Sequence, residues 1–202
     1  MNHLIINIGR QFGSGGRQVA MELGRRLGMN TYDNELISKA AEESGFSKEL
    51  FLKSDEKRSI FSMSSFFTSG AFSLQRSYIN DDDLFKIQSE VIKNTAEKES
   101  AIFIGRCSDY ILREMDCCID VFISCPIELR AARVAEREGI TIEEATALCQ
   151  KNDRTRATYY NYFTFGDWGT ASNYDLCIDS SILGIEGTAD IIVEFAKKKG
   201  LL

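Results

Sequence analysis

The sequence predicts an α/β protein in which a parallel sheet is covered by helices on both faces. Two observations carry this. Short apolar, branched runs alternate with segments of helical periodicity along most of the 202 residues. The first of those runs ends in a glycine-rich stretch that opens directly into a helix. Strands separated by helices cannot pair as hairpins, so they lie parallel and are buried from both sides. Residues 1–202 are expected to form a single domain.

Taken in order, Leu4 to Ile8 is apolar and branched and ends at glycines, the signature of a buried strand. From Gly16 to Leu27, residues Val19, Leu23 and Leu27 stand four apart, with Ala20 and Gly24 beside them, forming one helix face. A brief strand around Thr31 leads to Asp33, which suits the N-cap of a helix bearing Leu36, Ile37, Ala40 and Ala41. Ser47 is placed to cap a further short helix through Leu50 and Phe51.

Residues 54–83 mix serine with Phe61, Phe66, Phe67 and Phe72 and have no clean period. So aromatic a stretch is not a free linker; it either covers a pocket or makes a subunit contact, which leaves a homo-oligomer open. The acidic run Asp81-Asp82-Asp83 favours a helix start, with Leu84, Ile87, Val91 and Ile92 on one face. Ala101 to Ile104 and Ile119 to Ile123 are two more buried strands. Pro126 suits the first turn of a helix containing Leu129, Ala132 and Arg133. Thr141 and Glu144 form a capping box ahead of Ala145 and Leu148. Asp175 to Asp179 is the last strand, and Ile185 to Lys199 a terminal helix with its lysines at the favourable end.

Composition removes several classes of function. The net charge of −6 opposes a general nucleic-acid binder, which needs a basic surplus. No apolar run approaches the roughly 18 residues of a membrane span, and no leader pattern opens the chain, so a cytoplasmic protein without a membrane partner is expected. The six cysteines contain no CxxC pair and the only histidine is His3, so zinc and thioredoxin-like sites fail and no metal ligand is assigned. Cysteines such as Cys117 and Cys118, in or beside an apolar run, read as reduced core residues.

The chemical centre of the sequence is the stretch from Gly9 to Gln18, GRQFGSGGRQ, between strand and helix. Glycines let a backbone turn tightly and approach an anion, and the helix that follows aims free N–H groups and its positive dipole end at the same point. Gly13, Ser14, Gly15, Gly16, Arg17 and Gln18 are therefore the expected phosphate cradle. A dinucleotide fingerprint beginning at Gly13 needs a small residue where Gln18 stands, although Asp33 suits a ribose contact. A P-loop aligned on Gly13-Ser14-Gly15 puts Gly16 at the lysine position and Arg17 at the hydroxyl position. Neither motif is complete; Arg17 is expected to bring the missing positive charge, as a planar fork rather than a point.

Six segments hold the same order and spacing as cytidylate kinases. They are Leu4 to Ala20, Tyr32-Asp33, Ile104-Gly105-Arg106, Glu128 to Arg133, Asp153-Arg154-Thr155-Arg156, and Tyr174 to Ser180. The form IGRQFGSGGRQVA, with YYNYF and Asp167-Trp168 downstream, resembles the divergent cytidylate kinase-like branch of the P-loop kinases. The likeness covers most of the chain and thins between residues 54 and 83.

The resemblance implies a five-stranded parallel sheet of the P-loop kinase fold. It also implies an acceptor-binding insert at about residues 46–83 and a helical lid at about 130–170. ATP and Mg2+ are implied, with a nucleoside monophosphate or another small phosphorylated metabolite as acceptor. By position, Asp33, Lys39, Arg106, Asp153 and Arg156 hold the acceptor, and Arg17, Arg154 and Arg156 serve the transfer. This chain departs from the family pattern at Ile104 and Cys107, where acidic residues stand, and at Cys149, where a lid arginine stands. Arg130, Arg133, Arg137, Arg154 and Arg156 are candidates to neutralise charge on the transferred group from a closing lid. The three-and-four spacing of Arg130, Arg133 and Arg137 also suits a solvated helix face, while Arg154 and Arg156 leave the helical pattern. Tyr159, Tyr160, Tyr162, Phe163 and Trp168 either stack on a base or pack at the root of the lid, and packing is the expected role. A different class of function, a non-catalytic nucleotide or phosphometabolite sensor with a degenerate P-loop, is kept alongside the kinase.

Overall fold

The computed structural model describes residues 3–43 and 81–202, so the helix expected at Ser47 and most of the 46–83 insert lie outside the described residues. Five strands form one parallel sheet: β1 (Ile5–Arg10), β2 (Asn30–Tyr32), β3 (Ala101–Ile104), β4 (Cys118–Ser124) and β5 (Leu176–Asp179), in the order β2-β3-β1-β4-β5. In the central strand, Ile5 stands opposite Ala101 and Cys118, and Ile8 opposite Ile104 and Val121.

Alternation along the strands divides the core. Leu4, Ile6 and Ile8 of the first run point to one face, where they meet Val19 and Leu23 of α1 (Gly16–Leu27) and Ala189 and Ile192 of the terminal helix. Ile5 and Phe103 point to the other face. There they meet Ile37 of α2 (Asn34–Glu43) and Ile87, Val91 and Ile92 of α3 (Asp81–Lys98). Cys117 and Cys118 are buried in this second core, and all six cysteines are free thiols. A third cluster joins α5 (Ile127–Glu138) to α6 (Ile142–Thr164) through Ala131, Val134, Ala145 and Cys149.

Four local expectations are corrected. Pro126 is the N-cap of α5 and not a first-turn residue. The short helix α4 (Ser108–Ile111) was not foreseen, because four residues are too few to show a period. The last helix, α7, runs over Ser180–Lys198, begins five residues early under an Asp179 side-chain cap to Ser181 N–H, and bends at Gly184 (φ 66°). Finally, α6 continues unbroken to Thr164, so Arg154 and Arg156 lie on a helix instead of beyond one. Its capping box is present as expected, with Glu144 N–H donating to the Thr141 hydroxyl at 3.2 Å.

Candidate functional site

The route from β3 to β4 carries the chain across β1 to the other half of the sheet, so the carboxyl ends of these three strands border the crevice where open parallel sheets bind ligands. The glycine loop forms one wall. Gly13 and Gly15 have φ of 78° and 86°, a left-handed backbone that residues with a Cβ rarely adopt. Their neighbours fix which way the peptide groups face. The Phe12 carbonyl accepts from Arg130 Nη1 at 3.0 Å, the Gly13 carbonyl from Arg133 Nη1 at 2.5 Å, and the Ser14 carbonyl from the Ser180 hydroxyl at 2.5 Å. Three successive carbonyl oxygens are thus held by α5 and α7. The N–H groups of Gly13, Gly15, Arg17 and Gln18 donate to no acceptor among the described residues. That arrangement suits an anion.

The arginines of α5 are not the solvated face their spacing suggested. Arg130 is 6% exposed and also donates to the Cys125 carbonyl and, at 2.6 Å, to Asp153. The second Asp153 oxygen accepts the Phe12 N–H at 2.7 Å. Asp153 therefore clamps the glycine loop to α6, with both oxygens engaged. Only Arg137 stays at the surface, over the Phe12 ring and paired with Glu138.

Behind the loop lies a cavity of about 350 Å³, lined by Arg10 and Gly9 from β1, Asn34, Gly105 to Cys107, Asp109, and Asn152, Thr155, Arg156, Tyr159 and Tyr160 from α6, with Trp168 and Tyr174 at the far side. Asn152, Arg156 and Tyr159 share one stripe of α6. Arg154 falls about 200° round the helix from Arg156, is exposed, and does not line the cavity. The structure therefore brings Arg156 and Arg106 to the cavity and leaves Arg154 outside it. Lys39 is on α2, among the described backbone.

Three guanidinium groups converge on this space. Arg156 is half-buried and donates to the Arg10 carbonyl at 2.9 Å; burial lowers its pKa. Arg106 stands over the Tyr159 ring at 5.2 Å, on backbone at φ 60°, followed by Cys107 at φ 56°. Two consecutive non-glycine residues in this region store strain, a feature that clusters at ligand sites. Burial and then the charges of Arg156 and Arg106 push the Arg10 guanidinium down to about 9. Arg17 points elsewhere, exposed and bonded to Asp33 at 2.9 Å. Asp33 meanwhile caps α2 through Glu35 and Leu36 N–H.

Sequence reasoning missed Arg10, Asn34, Asp109 and Asn152 among the lining residues. Arg10 was passed over because it sits inside the glycine stretch; its one signal was that a P-loop carries glycine five positions before its last glycine, and Arg10 occupies that place. Asn34 carries a buried side-chain oxygen without a hydrogen-bond partner and gave no signal. Asp109, held up by burial and bonded by the Tyr160 hydroxyl at 2.8 Å, lies two residues past the family's acidic position, where Cys107 stands. Burial raises the Cys107 thiol to about 12, so it carries no charge at neutral pH. The aromatic run packs as expected: Phe163 stacks on Phe85 with centroids 4.1 Å apart, and Trp168 meets the edge of Phe122.

Among the described residues no helix is long and apolar enough to cross a membrane, and no group of three acidic, histidine or cysteine residues is placed to hold a metal ion. Cytidylate kinase from Pyrococcus abyssi is 28% identical over 194 residues, covering 94% of this chain and 91% of that protein. Cytidylate kinase from Thermococcus sibiricus is 35% identical over 98 residues, about half of each chain. An uncharacterized protein of known structure from Eubacterium ventriosum is 27% identical with a TM-score of 0.75 over 96% of this chain and 99% of that one. Shikimate kinase from Bacteroides thetaiotaomicron shares the fold alone, with 13% identity and a TM-score of 0.54 over 96% of this chain and 98% of that one. The five-stranded parallel sheet with helices on both faces is the fold that the shikimate kinase also has. A profile of the cytidylate kinase-like family matches residues 5–182, and the chain belongs to that family.

Proposed function

We propose that the protein transfers the γ-phosphoryl group of ATP to a nucleoside monophosphate, with a cytidylate-like acceptor as the leading choice. The observation that carries this reading is the convergence of Arg10, Arg106 and Arg156 on one cavity, with the anion-ready glycine loop following Arg10 along the chain. Hydride transfer has no need of three cations there, whereas a phosphate acceptor facing a phosphate donor does. The ATP phosphates rest on the N–H groups of Gly13, Gly15, Arg17 and Gln18, with Gly16 leaving room for them and the Ser14 hydroxyl, which accepts the Gly16 N–H, holding the loop's turn. The acceptor phosphate lies among the three guanidinium groups, with Asp33 and Lys39 on the acceptor side and Asp153 acting through the loop it clamps.

An acceptor oxygen attacks the γ-phosphorus while the bond to the β–γ bridging oxygen breaks, and its electron pair leaves with ADP. An ionised phosphate acceptor needs no general base. Catalysis is then alignment and charge neutralisation. The donor set fits a magnesium ion poorly: Arg17 replaces the usual hydroxyl, and the described residues build no metal centre. Magnesium is expected to arrive on the ATP phosphates, lowering their charge, and no step here depends on a protein ligand to it. The nucleotide-sensor reading draws on one observation, the engagement of Arg17 with Asp33.

Both readings are tested by ADP release from ATP across a panel of nucleoside monophosphates and small phosphorylated metabolites, wild type beside Arg156→Ala. We expect at least one acceptor to accelerate release, and Arg156→Ala to lower that rate more than tenfold, as losing one charge-assisted contact does. No acceleration by any acceptor, with ATP still bound, would replace the kinase with the sensor.

A further inference from the structure

We infer that Arg10, at the end of β1, supplies the cation that a P-loop lysine gives elsewhere, and that it contacts the phosphate chain of the donor at its γ end. The inference deepens the kinase reading and rests on it for the identity of the donor.

Two positions are coupled in this loop. In a P-loop the lysine follows the last glycine, and a first glycine stands six residues before that lysine. Here the lysine position is Gly16 and the first-glycine position is Arg10. A Cβ placed on Gly16 would lie 2.6 Å from the Arg10 Cβ and 3.0 Å from its Cγ. One backbone thus has room for a side chain at position 10 or at position 16, and not at both. The long cation has moved from one to the other, and its stem fills the space where the lysine stem would begin.

Its head also lies in the right place. A Cβ on Gly105 would collide with Arg10 Nη1, so the guanidinium rests against the turn after β3 and lines the cavity together with Arg106. Arg156 holds the strand end that carries it. Among the described residues the guanidinium makes no hydrogen bond and no ion pair, although the charges of Arg156, Arg106 and Arg17 act on it and only that of Asp33 offsets them. A positive fork enclosed without a partner is unfavourable until an anion arrives. Arg17, which the sequence offered for this role, is exposed and already bonded to Asp33. As the acceptor oxygen bonds to phosphorus and the bridging oxygen departs with its electron pair, Arg10 neutralises the charge gathering between donor and acceptor. It neither gives nor takes a proton.

The test is thermal melting and calorimetric titration with inorganic tripolyphosphate, which contains the phosphate chain without a base. Arg10→Met removes the charge and keeps the stem; the ligand-free protein is expected to melt higher than wild type, and tripolyphosphate to bind about tenfold or more weakly. Arg17→Ala is expected to weaken binding by a smaller factor. The double variant Arg10→Gly with Gly16→Lys, which rebuilds the ordinary loop, is expected to regain most of the affinity, while Gly16→Lys alone does not fold as wild type does. Wild-type affinity in Arg10→Met, or a larger loss in Arg17→Ala, overturns the inference and leaves the kinase reading standing. Loss in Arg10→Met without turnover of any acceptor leaves the Arg10 contact standing and removes the kinase reading.

Discussion

Asp120 on β4 shows how one half-buried side chain writes a pH signature into the fold. Its carboxyl accepts from the Asn7 side chain at 2.8 Å, yet burial raises it from the ordinary value near 3.8 to about 6, with Asp109 and Asp175 adding to the rise. A carboxyl whose folded pKa exceeds its unfolded one favours the folded state while protonated. That advantage fades as pH climbs from about 4 to about 6 and is gone above it. Asp120→Asn keeps an acceptor for Asn7 and removes the charge. It is expected to be the more stable protein at pH 7, by up to about 3 kcal/mol, with the difference closing near pH 4. Urea midpoints at the two pH values read this directly, and parallel pH profiles for the two proteins would contradict it.

At the level of elements, α5 and α6 form a hairpin that clamps the glycine loop. Arg130 reaches Cys125, Phe12 and Asp153, and Asp153 reaches back to the Phe12 N–H. Removing one partner of such a buried pair strands the other, at a cost of about 3–5 kcal/mol. Arg130→Ala is expected to lose that much in equilibrium unfolding, and Arg130→Ala with Asp153→Ala to lose less than the two single losses added together. Strict additivity would mean that the clamp is not a unit.

This element also marks where sequence reading stops. The spacing of Arg130, Arg133 and Arg137 gave one helix face correctly, but periodicity cannot tell a face turned to water from one covered by the next helix. The stretch Asn152-Asp153-Arg154-Thr155 favours caps and turns over helix interiors; packing of Ala145 and Cys149 against Val134 and a capped start carry α6 through it. The capping box itself was legible because its two residues are three apart and act locally.

Across the whole molecule, the sheet and both of its cores were legible, since alternate residues of β1 face opposite layers and the glycine loop could only follow a strand and precede a helix. The cavity was legible in part. Arg106 and Arg156 were reached through resemblance and do line it; Arg10, Asn34 and Asp109 meet there only because the ends of β1 and β3, the starts of α2 and α4, and α6 come together in space, which no window of sequence displays.

In the proposed transfer, donor and acceptor phosphates lie on either side of Arg10, one on the glycine loop and one among the arginines. A crystal structure with a bisubstrate ligand, two nucleosides joined by a chain of phosphates, tests it most directly. The expected density runs from the N–H groups of Gly13 to Gln18, past Arg10, to Arg106 and Arg156, with the acceptor base toward Tyr159 and Asp109. Phosphates found away from the glycine loop, or a chain that leaves the Arg10–Arg106–Arg156 cavity unvisited, would contradict it.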